Sequence, residues 1–287
     1  MVTRLRNWFF DLRHDLANVG RTVWYDHSVQ LVLLLSVLPW IVSIYRRRDP
    51  GVWLPLAEIT GIIAVYWFFT RGRPIEPLPV RRPWLESGLV LVFALLWIGY
   101  RVLEYSHVIV FPAIHLGLCD DLMDTIIPKM IEMTLLPFIL LLALGYSLKQ
   151  QGIGLPLWAW VPALIPLAIY IYWGLSHQSP LGLATRGVCF YFGAGLPEEF
   201  LFRALIMSRL EALTRRPVWG LFLGAFVFGV SHIPIDLQGS GLSNWPNALE
   251  SAFTFQMSIG LALGYAFLRC RNIWPLTFIH ALIDSAP

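Results

Sequence analysis

The chain has 287 residues, 57% of them hydrophobic and only 14% charged, with a mean hydropathy of +0.63. Soluble domains carry about 25% charged and about 45–50% apolar residues, so a water-soluble enzyme, a disordered chain and a secreted disulfide scaffold are excluded, and an integral membrane protein remains. The net charge is +3, from 21 basic and 18 acidic residues; no basic stripe suits nucleic acid, and the small excess reads as positive-inside loops.

At the N-terminus Leu5, Trp8, Phe9, Leu12, Leu16 and Val19 recur at helical spacing, with Arg4, Arg6, Asp11, Arg13 and Asp15 between them. Over residues 1–27 this suits an amphipathic helix in the membrane interface. A solvated helix packing on the loops fits the same pattern. The stretch is charged and lacks a continuous apolar core, unlike a cleavable signal. Apolar segments follow at 28–45, 52–70, 84–103, 130–147, 156–174, 184–209, 218–235, 247–268 and 273–286. A crossing needs about 20 residues, so the expected fold is an all-α, polytopic transmembrane bundle of about eight to nine helices. The apolar stretch 106–118 is short and holds His107, Pro112 and His115; it reads as a re-entrant or extramembrane loop. Cys119, Cys189 and Cys270 lie far apart with no CxxC spacing, so neither a disulfide framework nor a zinc–thiolate site is expected.

Basic loops set an expected orientation. Arg209, Arg215 and Arg216 fall in one loop, and Arg269 and Arg271 in the loop two crossings later. The loop between carries only Asp236, and 119–125 carries Asp120, Asp121 and Asp124. The positive-inside rule then puts 210–217 and 269–272 on the cytoplasmic side. Arg71, Arg73, Arg81 and Arg82 agree, whereas Arg46-Arg47-Arg48 does not.

Ionisable groups in hydrocarbon cost at least about 2.5–3.5 kcal/mol each on insertion scales, and those that demand explanation are expected in the last third. Segment 184–209 contains Gly193-Ala194-Gly195-Leu196-Pro197-Glu198-Glu199-Phe200-Leu201-Phe202-Arg203. Pro197 favours a first helical turn, glutamates just after it suit the helix dipole, and the preceding glycines would let the helix break. Glu199 and Arg203 are four apart and within ion-pair reach. Glu198 projects about 100° away. Glu199 is therefore expected to be neutralised and structural, and Glu198 free for chemistry. The bland alternative is one charge cluster that only locks helices together. The next segment ends in Phe228-Gly229-Val230-Ser231-His232, and the last holds His280-Ala281-Leu282-Ile283-Asp284, with His280 and Asp284 on one helical face. A lone histidine near a helix end is more often a satisfied interfacial residue than a catalyst.

Counting about 1.5 Å per residue from the cytoplasmic loop ends, Glu198 lies roughly 16 Å deep, His232 roughly 21 Å, and His280 and Asp284 roughly 12 and 18 Å. Three helices thus carry ionisable groups to one depth, which reads as a single polar site. A carboxylate beside a histidine in a water-poor pocket can polarise water for attack on a carbonyl, and a second polar pair can stabilise the oxyanion. Glu198 with His232 fits the first task and His280 with Asp284 the second; Ser231 is a poor nucleophile candidate. Two histidines and two carboxylates would also satisfy zinc, although no HExxH pair is present.

The series Glu198-Glu199-x-x-x-Arg203, Phe228-x-x-x-His232 and His280-x-x-x-Asp284 resembles the three-motif signature of the CAAX protease and bacteriocin-processing (CPBP, or ABI) family. Glu-Glu-Phe-Leu-Phe-Arg looks especially close to its first motif. The resemblance covers about the last 110 residues and implies a catalytic core over 181–287, preceded by transmembrane helices over 28–180. It implies a glutamate-dependent intramembrane endopeptidase without metal or other cofactor, in which Glu198 and His232 activate water and His280 and Asp284 form the oxyanion hole, with Glu199, Arg203 and Phe228 orienting them. Asparagine is common at the last motif position. An ionised Asp284 would repel an oxyanion, so it is expected to be protonated or to orient His280. The sequence ends at Pro287, three residues past the motif, which leaves open a trimmed C-terminus. The expected partners are the lipid bilayer and a membrane-associated protein or peptide cut near its C-terminus. A non-enzymatic immunity or scaffold protein is the rival reading. A transporter is third, since no internal repeat is visible.

Overall fold

The apolar segments become helices because a chain in hydrocarbon must satisfy every backbone polar group internally. The structure is a computed structural model that describes residues 2–47, 53–105, 108, 119, 126–154, 156–237 and 244–285. His107, Pro112, His115 and the acidic residues of the 119–125 loop lie outside the described residues.

In chain order the helices are α1 (Val2–Tyr25), α2 (His27–Arg47), α3 (Trp53–Thr70), α4 (Pro83–Tyr105), α5 (Ile126–Ala143), α6 (Trp160–His177), α7 (180–214), α8 (Pro217–Ser231, extended by a turn to Asp236), α9 (Trp245–Cys270) and α10 (Trp274–Ser285). Among the described residues, seven helices are long and apolar enough to cross a membrane: α2 to α6, α8 and α9. Helix α7 is long enough as well, but Glu198, Glu199 and Arg203 interrupt its apolar run, and it widens into π turns over Tyr191–Gly195 and Glu199–Met207. The last apolar segment is described as a helix of 12 residues, roughly 18 Å long. The chain is a multi-pass membrane protein.

Large apolar side chains face outward, as a lipid solvent demands: Leu95 and Leu96 are 69% and 70% exposed, Ile169 60%. On α1, Leu16 and Val19 are also exposed, and Asp15 lies 3.6 Å from Arg71 of the loop after α3. The interior is built on α7. From Pro197 to Glu211 it is buried all round, the mark of a central helix. Around it lie α8, α9 and α10, which approach closely where side chains are small. A Cβ on Gly195 would sit 2.4 Å from the carbonyl oxygen of Thr277, and one on Gly229 would sit 2.5 Å from that of Ala252. The first of these contacts sets the crossing of α7 and α10.

Two expectations are corrected, and one exception is explained. The helix does not break at Gly193–Gly195; it widens into a π turn over Tyr191–Gly195 and continues through Pro197. Proline lacks the N–H that an α turn needs, and a π turn re-registers the helix without ending it. Cys119 and Cys189 form a disulfide, with Cα atoms 5.8 Å apart across a sequence separation of 70; local spacing cannot reveal such a pairing. Finally, Arg46 lies at the end of the bundle opposite the other basic loops, where it meets Glu250 at 2.9 Å. A buried carboxylate from α9 answers the charge that breaks the loop pattern.

Candidate active site

Helix α7 delivers two adjacent glutamates, and the helical turn sends them to different partners. Glu199 points at Arg203, four residues on, with Arg203 Nε 3.2 Å from Glu199 Oε2. The Arg203 guanidinium also lies over the Phe228 ring, 4.4 Å from its centre. The expected ion pair is in place and fully buried. Glu198 faces the other way, toward α5, α8 and α10.

Helix α8 contributes His232 as its C-terminal cap. His232 Nδ1 donates to the Phe228 carbonyl at 2.8 Å, and the Phe228 ring packs 4.6 Å from the imidazole. That bond places the proton on Nδ1, so Nε2 presents a lone pair. Nε2 lies 3.8 Å from Glu198 Oε2. Ser231 is spent locally, donating to the same carbonyl at 2.7 Å, and plays no nucleophilic part in this geometry.

Helix α10 contributes His280 and Asp284. His280 Nδ1 donates to Glu199 Oε1 at 2.8 Å. Its Nε2 lies 3.8 Å from Glu198 Oε2 and 3.7 Å from Asp284 Oδ2. The orienting partner of His280 is thus Glu199 from the neighbouring helix, while Asp284 stands beyond hydrogen-bond distance. The two glutamates take different partners, yet both end on one imidazole.

All four residues expected at the site, Glu198, His232, His280 and Asp284, meet at one point, with Glu199, Arg203 and Phe228 behind them. Glu198 Oε2 is buried, has no hydrogen-bond partner, and sits equally far from the two Nε2 atoms. Glu198, Glu199 and His280 are sealed in, while the side chains of His232 and Asp284 keep 18% and 32% of their surface. The site therefore opens on the His232–Asp284 side. Among the described residues, no group of three or more His, Cys, Asp or Glu is arranged to hold a metal ion.

Sequence reasoning missed one residue and misjudged a region. Lys129 of α5 reaches Glu198, with Nζ donating to Oε1 at 2.7 Å, so Glu198 is not without a cation. Nor are the costly groups confined to the last third. Arg101 on α4, itself buried, pairs with Glu104 and lies 3.5 Å from Glu132 of α5. The rule that charges in hydrocarbon need a reason, applied to α4 and α5, would have found both.

An apolar groove of about 500 Å³ runs beside the site between α3 and α6. Leu54, Gly61, Ile165 and Trp173 line it; Phe255 of α9 and Ile283 of α10 close its inner wall, and Ile283 precedes Asp284 in the chain.

Residues 180–286 match the family model of the Type II CAAX prenyl endopeptidase Rce1-like proteins. The matched residues include all three motifs, so the C-terminal part of the chain is similar to that family. A 71-residue stretch is 31% identical to envelope glycoprotein B of Equine herpesvirus 2 (strain 86/87), covering 25% of this chain and only 8% of the viral protein. No solved structure matches the chain.

Proposed function

We propose that this chain, with a CAAX-endopeptidase-like core as the premise, is an intramembrane endopeptidase that cuts a membrane-associated protein or peptide near its C-terminus. The observation that carries the mechanism is the position of Glu198 Oε2, unpartnered and 3.8 Å from Nε2 of both His232 and His280. Glu198 Oε2 and His232 Nε2 are both acceptors, and a water donating one proton to each is polarised for attack on a carbonyl carbon. This is general-base catalysis by a positioned pair. The water's oxygen bonds to the carbon, its proton passes to the Glu198–His232 pair, and the same pair returns that proton to the leaving amine.

On the opposite side the carbonyl oxygen gathers negative charge and needs a donor aimed at it. His280 is held for that role by its Nδ1 bond to Glu199. With Nδ1 committed there, donation from Nε2 requires the imidazolium, and Glu198, Glu199 and Asp284 surround the ring with carboxylates that favour it. Asp284 then acts by stabilising that cation, or as a protonated donor beside it. Arg203 offsets Glu199, and Phe228 fixes the His232 tautomer through its carbonyl. The groove along α3 and α6 ends at the α10 helix that carries the site, and it suits the hydrocarbon part of an anchored substrate.

The test is turnover of a panel of labelled membrane-anchored peptides by the detergent-solubilised protein, compared with Glu198→Gln, each with and without a strong chelator. General-base loss typically costs about 10²–10⁴-fold, so turnover per folded molecule in Glu198→Gln is expected to fall by at least ~10²-fold, with the chelator inert. Loss of wild-type activity to the chelator would move the chemistry to zinc. A Glu198→Gln variant as active as wild type would end the reading.

A further inference from the structure

Lys129 is one of two lysines in the chain, Lys149 being the other, and it lies near the start of a membrane span whose only other charged residue is Glu132. Among the described residues the fully buried cations of the core are arginines, Arg101, Arg203 and Arg209, whereas the Lys129 side chain is only partly buried. An ammonium is a compact point charge with rotatable donors, whereas a guanidinium is a planar fork that tends to take both oxygens of a carboxylate. Here Nζ takes Oε1 of Glu198 at 2.7 Å and leaves Oε2 without a hydrogen bond. Oε2 is the oxygen that faces both histidines.

The mount of Lys129 is as specific as its contact. One turn further along α5, Glu132 accepts from Trp97 Nε1 at 2.8 Å and lies 3.5 Å from Arg101 Nη2. Arg101 is tied in turn to Glu104 on its own helix. Immediately after Lys129 the helix widens into a π turn over Met130–Leu135, a distortion that re-aims side chains and recurs at functional sites. Thus a buried ionic clamp to α4 holds the stretch of α5 from which Lys129 reaches across to α7.

We propose that Lys129 is a positioning residue of this site: by binding one oxygen of Glu198 it fixes the carboxylate so that the other oxygen stays between His232 and His280. The assignment rests on the peptidase reading for its consequence in turnover, but not for its geometry. Without Lys129 the carboxylate is free to rotate about its last torsion and to settle on one histidine, and an error of about 1 Å in a reacting group costs on the order of 10²-fold.

The experiment uses full-length protein in detergent, comparing wild type with Lys129→Met, Lys129→Arg and Glu198→Gln. Two readouts are taken: kcat and KM per folded molecule on a cleaved peptide, and the side-chain ¹⁵N resonances of His232 and His280. The expectation for Lys129→Met is a kcat lower by ~10²-fold with KM within about twofold and moved histidine resonances, and Lys129→Arg is expected to recover little of kcat, because its fork tends to take both oxygens of Glu198. If Lys129 only neutralises charge, Lys129→Met loses folded protein while kcat per folded molecule and both histidine spectra stay at wild type, and the assignment is overturned. The spectra need no turnover. An inert wild type, or an active Glu198→Gln, would therefore count against the peptidase reading alone, while unmoved resonances in Lys129→Met would still overturn the positioning role.

Discussion

Arg203 shows how much a single buried charge depends on its neighbour. Its guanidinium is almost wholly enclosed, pairs with Glu199 and rests on Phe228. Removing one member of a buried pair leaves the other uncompensated, which costs about 3–5 kcal/mol. Arg203→Met is therefore expected to lower unfolding stability by about that amount, and Arg203→Met/Glu199→Gln to lose clearly less, as read by thermal or denaturant unfolding in detergent. The double variant is still expected to be inactive, because His280 loses the carboxylate that orients it. Additive losses in the double variant would mean that the pair is not coupled. The motif residues were legible in the sequence because their relations are local: Glu199 with Arg203, Phe228 with His232 and His280 with Asp284 are each four apart. The bond from His280 to Glu199 spans 81 positions and that from Lys129 to Glu198 spans 69. Helical spacing carries no information about such pairs; only the packing of α5, α7 and α10 creates them.

At the scale of the helix, the site depends on how closely α10 can approach α7. Gly195 permits that approach, since a Cβ there meets the Thr277 carbonyl at 2.4 Å, and backbone cannot yield as a flexible side chain can. Overpacking of this kind costs about 1–3 kcal/mol. Gly195→Ala is expected to remain folded but to displace α10, and with it His280, so that kcat falls by on the order of 10²-fold while the helical content by circular dichroism is unchanged. Wild-type kcat in Gly195→Ala would show that His280 is held by something other than that contact. The existence of the helices was plain in the hydropathy of the chain, since each apolar run of sufficient length has one physical solution in lipid. Their irregularities were not. Whether Gly193–Gly195 and Pro197 break a helix or widen it depends on the neighbours packed against the turn, and α9 ends at Arg271 in a left-handed conformation only a few residues before α10 starts.

For the whole molecule, two unrelated physical rules give the same orientation in the membrane. Arg271 meets Glu211, Arg269 meets the carbonyls of Thr70 and Arg73, and Arg81 meets those of Leu144 and Gly145. The loops after α3, α5, α7 and α9 are thereby gathered at one end, and the positive-inside rule assigns that end to the cytoplasm. The disulfide joins Cys119, in the connection after α4, to Cys189, toward the start of α7, and both belong to the opposite half. Disulfides persist on the oxidising side of a membrane. The free cysteine Cys270 sits at the basic end, where a reducing compartment would keep it a thiol. Accordingly, a cysteine introduced at Arg216 in a Cys270→Ser background is expected to react with a membrane-impermeant maleimide only after the cells are opened, and one introduced at Val108 to react in intact cells. Native protein should also run faster on a gel without reductant than with it, and Cys189→Ser should abolish that difference and lower stability by roughly 2–5 kcal/mol. Labelling at Arg216 in intact cells would invert the molecule and place the disulfide in a compartment that reduces it, so the accessibility and the gel mobility must succeed or fail together.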